Sequence, residues 1–367
     1  MSIRTEPLIG VTRARPRRRP ASLAAWLDRE PVFSWLMMTA PILFLAAFVG
    51  YPFVYGILLS LQDRPVAHVG TFVGLKNFVR DFNDPIFWRV AVNTFVYTGV
   101  ATLLKMIGGL ALAVAMNQNF RMKNLVRAVL LLPFIVPTVL STVAWMWMLD
   151  PAFSIFNWFL IALGMPKPGP SWLGNPTLAM ASIIVINTWR GLPFYGITLL
   201  AGLQTVPPEL YEAATIDGAS GWQRFRYVTL PLLQPIILIV TLFSVIFTFA
   251  DFQLVYVLTH GGPQNATQLF ATYAFDIGMG AGQLGLGASV ALTMLPALAL
   301  LILALTCRTT SASRCRQRAS CRPPNAATAR RSSSSRRCSR PSPIWRAWCS
   351  NRGVSPTRFP GTSAPLR

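Results

Sequence analysis

YVTLPLLQPIILIVTLFSVIFTFA, residues 227–250, runs for 24 residues without an Asp, Glu, Lys or Arg. An α-helix rises 1.5 Å per residue, so about 20 apolar residues cross the hydrocarbon core of a bilayer. A barrel strand would be about 10 residues long and would alternate apolar with polar. This run is longer and does not alternate, so it reads as a membrane-spanning helix. Three more runs, 31–62, 128–149 and 277–307, are free of charge, and 90–118 and 176–204 hold one charge each, Lys105 and Arg190. The fold class is therefore an all-α polytopic membrane protein. Six transmembrane helices are expected over about 33–61, 90–116, 128–149, 177–203, 231–257 and 284–306. The apolar piece 152–166 is too short to span and reads as interfacial or re-entrant. Composition agrees: 53% of the 367 residues are hydrophobic and 12% charged, against about 25% charged in soluble domains.

Lysine and arginine set the expected orientation. With the N-terminus inside, the basic segment 1–32 and the inner loops carry twelve: Arg4, Arg13, Arg15, Arg17, Arg18, Arg19, Arg29, Arg121, Lys123, Arg127, Arg224 and Arg226. The outer loops carry five: Arg64, Lys76, Arg80, Arg89 and Lys167. This bias places both ends of a six-span domain in the cytoplasm. The first run is too long for a signal-peptide core and is expected to remain as an anchor.

Beyond residue 306 the composition changes. Residues 307–367 hold fourteen Arg, no Lys, no acid and all five cysteines of the chain. A disordered tail is expected. Three readings compete for it: a basic arm for nucleic acid or anionic lipid, a metal site, and a shifted reading frame in a GC-rich gene. The cysteines form no CxxC pair, which weakens the metal reading. The Arg/Ser/Pro/Ala/Cys mixture favours the shifted frame, and a nucleic-acid partner is not expected. Without the tail nineteen basic residues face twelve acidic ones, so most of the net charge of +21 belongs to it.

Several chemistries are missing. No lysine follows a glycine, so a GxxxxGK phosphate loop is excluded. The two histidines, His68 and His260, fall in expected outer loops. No catalytic residue, metal ligand or cofactor is expected in this chain. Lys105, Arg190 and Asp251 are the ionisable residues in or beside the spans. Such residues are costly in a membrane and mark functional sites, buried pairs or snorkelling chains.

Just before the opening run lies EAATIDGASGWQRFRYVTLP, residues 212–231, a polar island between spans four and five. Pro207 and Pro208 suit a helix entry, and Glu209 and Glu212 lie where the helix dipole favours anions. Gly218 suits a left-handed helix end. A second short helix is expected next, with Trp222, Phe225 and Val228 on one stripe and Pro231 opening span five. An ordinary interfacial loop explains the aromatics and arginines but not the spacing.

That spacing resembles the EAA motif of permease subunits of bacterial ABC importers. The family pattern of Glu-Ala-Ala, Gly, an apolar residue and Leu-Pro falls on Glu212-Ala213-Ala214, Gly218, Val228 and Leu230-Pro231. The chain is similar to the maltose-type branch at GLKNF (74–78), NT (93–94), LLPFIVP (131–137), WRGLPF (189–194), AGLQTVPPELYEAA (201–214) and YVLTHGGPQNAT (256–267). The resemblance implies a multi-pass protein of the bacterial cytoplasmic membrane that is not itself an enzyme. It implies a second permease subunit, two ATPase subunits that bind ATP and Mg, and an extracytoplasmic solute-binding protein as partners, with lipid around the spans. It makes Glu212, Ala213, Ala214, Asp217 and Gly218 the ATPase-coupling residues. A carbohydrate is the implied solute, with glycerol phosphate or another small polar solute as the alternative. A secondary carrier needing no ATPase is the alternative of a different class. Sugar sites combine aromatic faces with a few hydrogen-bonding groups. Asn187, Arg190, Tyr195, Asp251, Gln253 and Tyr256 offer that mix and are the candidate solute contacts.

Overall fold

The computed structural model describes residues 30–118 and 121–320. Among these, five helices are long and apolar enough to cross a membrane, and a bent pair supplies a sixth. The first span joins α1 (Glu30–Leu45), a π-helical turn (Ala46–Gly50) and α2 (Tyr51–Ser60). Pro52 sits just past that turn. Proline lacks an N–H and its ring crowds the carbonyl four residues back, and a widened turn accommodates both. Most of the apolar stretch of this span, Met37–Ser60, is exposed, and Ser60 at its end is buried.

A two-residue hairpin follows, β1 (Gln62–Asp63) antiparallel to β2 (Thr71–Phe72), with Gln62 opposite Phe72. Then come α3 (Lys76–Asn83) and the long α4 (Pro85–Met116), which Asp84 caps by accepting a hydrogen bond from the Ile86 N–H at 2.8 Å. α3 docks through the two polar residues on its buried face. Asn77 donates to the carbonyls of Ser60 and Gln62, and Asp81 accepts from the Ser289 hydroxyl.

The third expected span, 128–149, is not one straight helix. α5 (Lys123–Ile135) and α6 (Thr138–Met148) meet at 93°. Val136 precedes Pro137 and is forced out of the helical region, with ψ at 129°. α7 (Ile155–Ala162) is the short segment expected not to span. α8 (Pro176–Gln204) is the fourth span, capped by Asn175. α9 (Pro208–Ile216) is the short helix of the polar island.

The fifth span also differs from expectation. Its helix starts at α10 (Gly221–Arg224), passes through a π-helical turn (Phe225–Thr229) and continues as α11 (Leu230–Phe249). The separate second short helix therefore does not exist. Pro231 lies inside the span, accommodated by the π turn before it, as at Pro52. The helix then breaks at residues 250–252 and resumes as α12 (Gln253–Thr259), so 231–257 is not continuous. α13 (Phe270–Phe275), a π-helical turn (Asp276–Gly280) and α14 (Leu284–Ser320) complete the described chain. The backbone of α14 runs past residue 306, so the first residues of the expected disordered tail are helical. Residues 321–367, with most of that tail, and the basic segment up to residue 29 lie outside the described residues.

α4 and α8 run parallel and make the longest pairing. Close approach is possible because Gly109 faces Tyr195: a Cβ on Gly109 would collide with the Tyr195 Cβ. Lipid tails are as apolar as leucine, so such packing, rather than exclusion of water, holds spans together. Three buried clusters result. Tyr97, Ala101, Ile183, Ile186 and Leu254 form one around α4, α8 and α12. Ala113, Met116, Leu199, Leu203 and Leu233 form another toward α9. Phe87, Val90, Phe249, Phe270 and Val290 close the opposite end.

Candidate functional site

Three spans bring polar side chains to one place at helical spacing. Tyr97, Ala101 and Lys105 share a face of α4. Asn187, Arg190, Gly191 and Phe194 share a face of α8. Ser244 and Thr248 lie on α11, and Asp251 follows in the break after it. Residues three and four apart on a helix point the same way. Asp251 becomes the hub. Its Oδ2 accepts from Tyr97 Oη at 2.8 Å, from Asn187 Nδ2 at 2.7 Å and from an Arg190 guanidinium nitrogen at 3.1 Å. The Arg190–Asp251 ion pair is the only one among the described residues, with the Asp251 side chain 4% exposed and that of Arg190 23%. Lys105 is buried and donates to Thr248 Oγ1 at 2.9 Å.

Beside this hub lies a cavity of about 640 Å³. Lys105, Asn187, Arg190, Tyr195, Asp251 and Gln253 line it. The bend between α5 and α6 adds Phe134, Val136 and Thr138 to the wall. Asn187 Oδ1, Tyr195 Oη, Thr241 Oγ1 and Ser244 Oγ are buried with no hydrogen-bond partner among the described residues. Of these residues Asn187, Tyr195 and Ser244 line the cavity and add polar groups to its wall.

Five of the six sequence candidates, Asn187, Arg190, Tyr195, Asp251 and Gln253, thus meet at one cavity. Tyr256 does not. It stacks on Phe252 with ring centroids 4.9 Å apart and packs edge-on to Phe275 at 5.1 Å, among the aromatics behind α12. The break at residues 250–252 turns the helix and carries Tyr256 away. Sequence reading left Tyr97, Thr248 and Phe134 off the list, and singled out Lys105 only as an ionisable residue in a span. Polar residues recurring every three or four positions in an apolar span are the signal that finds Tyr97, Lys105 and Thr248; Phe134 carries no such signal.

The polar island forms a hairpin at the end of the bundle reached by α8. α9 ends at Gly218, with φ at +76° and open space around it. The Ala219 N–H bonds to the Ala214 carbonyl at 2.9 Å and the Gly218 N–H to the Thr215 carbonyl at 3.0 Å. This is the Schellman ending, which consumes carbonyls a helix end leaves free. Ser220 starts α10 with a capping box: its N–H bonds to Gln223 Oε1 at 2.7 Å, and the Gln223 N–H returns to Ser220 Oγ at 3.4 Å. Arg224 donates to Thr215 Oγ1 at 3.0 Å, and the Tyr211 and Thr229 hydroxyls lie 2.9 Å apart. These bonds fix α9 against the base of the fifth span. Glu212, Ala213, Asp217 and Gly218 are exposed and Ala214 is half-buried. Ile216 is 87% exposed, Tyr227 72% and Trp222 67%, so large apolar groups stand on this rigid surface.

Comparisons with known proteins agree with this architecture. Over 265 residues the chain is 35% identical to the trehalose/maltose transport system permease protein MalF of Thermococcus litoralis, covering 72% of this chain and 89% of that one. It is 33% identical over 303 residues to the diacetylchitobiose uptake system permease protein DasB of Streptomyces coelicolor, covering 81% and 88%. Its fold matches a chain in the crystal structure of a bacterial ABC transporter involved in the import of the acidic polysaccharide alginate, with a TM-score of 0.68 at 20% identity, covering 79% and 98%. Residues 105–310 match the family described as the inner membrane component of binding-protein-dependent transport systems. These residues include both the cavity wall and the α9 hairpin, and the chain belongs to that family as a multi-pass permease of the inner membrane.

Proposed function

We propose that this permease forms one half of the path for a carbohydrate and is driven through α9 by a separate ATPase. The polar cavity within otherwise apolar spans carries the reading. Its lining combines hydroxyl and amide side chains with aromatic faces, the chemistry that suits a polyhydroxylated solute. Relatives named for trehalose/maltose and diacetylchitobiose support the choice of carbohydrate.

The excess of Lys and Arg in the N-terminal segment and in the loops at the α9 end supports a cytoplasmic placement of that end and of both termini. Glu212, Ala213, Ala214, Asp217 and Gly218 then face the cytoplasm on a short, rigid, exposed helix. Two ATPase subunits, binding ATP and Mg, would take this helix and its counterpart on a second permease. An extracytoplasmic binding protein would deliver solute at the opposite end. Closure of the ATPase pair moves α9 as a body, and the bonds from Arg224 and Tyr211 pass that motion to the fifth span, whose far end carries Asp251. This is a two-state switch biased by a ligand on one side.

The test is affinity purification of the chain in mild detergent, followed by reconstitution and sugar uptake. An ATPase and a second permease should co-purify, and uptake should require ATP inside the vesicles together with the binding protein. Sugar accumulation driven by an ion gradient, with no ATPase present, would establish a secondary carrier instead.

A further inference from the structure

We infer that α3 is a lipid-docking helix: it lies on the membrane surface at the end of the bundle opposite α9, sinks Leu75, Val79 and Phe82 among acyl chains, and holds the phosphate of an anionic phospholipid with Lys76 and Arg80. The helix is inside out. On a water-soluble domain a surface helix turns its apolar stripe toward the core and its polar face to solvent. α3 buries an amide and a carboxyl instead. Asn77 donates to the carbonyls of Ser60 and Gln62, and Asp81 accepts from the Ser289 hydroxyl. These bonds fix the rotation of α3 about its axis. The apolar stripe then faces away from the protein: Leu75, at the N-cap, is 67% exposed, Val79 58% and Phe82 49%. Residues three and four apart share one side of a helix, so the three side chains make one surface.

An exposed apolar surface of this kind marks an interaction site, and its position says what covers it. Asn77 bonds to Ser60, the last residue of the first span, and Asp84, directly after α3, caps the second. The helix is therefore held at the level where both spans leave the hydrocarbon. Phe87, early in α4, belongs to the buried cluster at the end opposite α9. Trp88 extends the stripe: it is exposed, its ring centroid lies 6.1 Å from that of Phe82, and its indole N–H donates to the Phe82 carbonyl at 2.9 Å. A tryptophan with an apolar body and one polar edge is suited to the lipid–water boundary. Lys76 and Arg80 stand one turn apart on the exposed side of α3. Neither has a carboxylate at ion-pair distance among the described residues. Asp81 and Asp84, the acids of this segment, accept from Ser289 and Tyr273 instead. Two free cations beside an apolar stripe complement a molecule with a phosphate at one end and hydrocarbon at the other, which is a phospholipid of net negative charge.

The experiment uses the full chain, with whatever subunits purify with it, in vesicles of equal parts phosphatidylglycerol and phosphatidylcholine. Val79 is replaced by photoreactive p-benzoylphenylalanine, and whatever light attaches to it is identified by mass spectrometry. Phospholipid should be captured, with phosphatidylglycerol favoured over phosphatidylcholine by about fivefold or more. Lys76→Gln together with Arg80→Gln should bring that ratio to about one, while Lys76→Arg with Arg80→Lys keeps it. Both cations are exposed, so the glutamine pair leaves the bonds of Asn77 and Asp81 in place. Capture of a protein, whether a second permease or a binding protein, overturns the proposal and makes the stripe a protein interface. Equal capture of the two lipids by the wild-type cations, or a ratio unmoved by the glutamine pair, overturns the phosphate site. Should the reagent at Val79 capture nothing, the same replacement at Phe82 decides the matter, and no capture there overturns the docking as well.

Discussion

At Asp251 three donors converge on one carboxylate oxygen, so its loss leaves more than a gap. Asp251→Ala strips the only carboxylate from Arg190 and leaves its guanidinium without an ion-pair partner. Breaking a buried pair by removing one partner costs about 3–5 kcal/mol. The variant should melt well below wild type in detergent, while Tyr97→Phe, which removes one neutral donor, should cost about 1 kcal/mol. Equal melting temperatures for Asp251→Ala and wild type would refute the hub. A second carboxyl works differently. Asp81 on α3 is buried against α14, and burial pushes its pKa from an ordinary 3.8 to about 6, opposed in part by the hydrogen bond from Ser289. The folded protein therefore holds this proton where the unfolded chain has released it. The stability it contributes is complete below pH 3.8 and is lost as pH rises through 6. Moving from pH 5 to pH 7.5 should lower the melting temperature of wild type by about 2 °C or more relative to Asp81→Asn, which has no such proton to lose. Parallel pH profiles for the two proteins would contradict this.

Among the elements, the α9 hairpin lends itself to the sharpest substitution. Gly218 has open space on all sides, so a side chain there meets no neighbour. Only the backbone objects, because φ is +76°, which costs a β-branched residue about 1–2 kcal/mol and asparagine much less. Gly218→Val should impair ATPase docking and uptake severalfold while membrane insertion stays normal, and Gly218→Asn should stay near wild type. If valine and asparagine behave alike, the left-handed ending has no part in coupling. The pairing of the second and fourth spans offers a matching test. A Cβ on Gly109 collides with Tyr195, so Gly109→Val should force α4 and α8 apart. Overpacking of this kind costs about 1–3 kcal/mol, readable as a lower melting temperature of the purified chain. Both glycines serve geometry, one through its dihedral and the other through its absent side chain.

For the whole molecule, the all-helical, membrane-spanning class and the site of the polar island followed from sequence. Lipid imposes those features on composition directly: every backbone group must be paired within the helix and the side chains facing lipid must be apolar. The left-handed end at Gly218 followed too, since a local turn rule decides it. The bend between α5 and α6 did not. Hydropathy measures how long a run is, and LLPFIVP keeps its length whether or not the helix turns 93° at Val136 and Pro137. The early start of the fifth span was hidden likewise, because a π turn lets a helix run through Pro231 where a rule about prolines places its beginning. Asn187, Arg190 and Asp251 could be named as polar residues in apolar surroundings, but their meeting with Tyr97 on another span, and the departure of Tyr256 from them, depend on how α4, α8 and α11 pack. Sequence by itself determined that this chain crosses the membrane repeatedly and carries an EAA hairpin between two spans. Tertiary structure alone decided which buried polar groups share a cavity, because charge pairing within a membrane is settled through space between helices and leaves no trace in the spacing along any one of them.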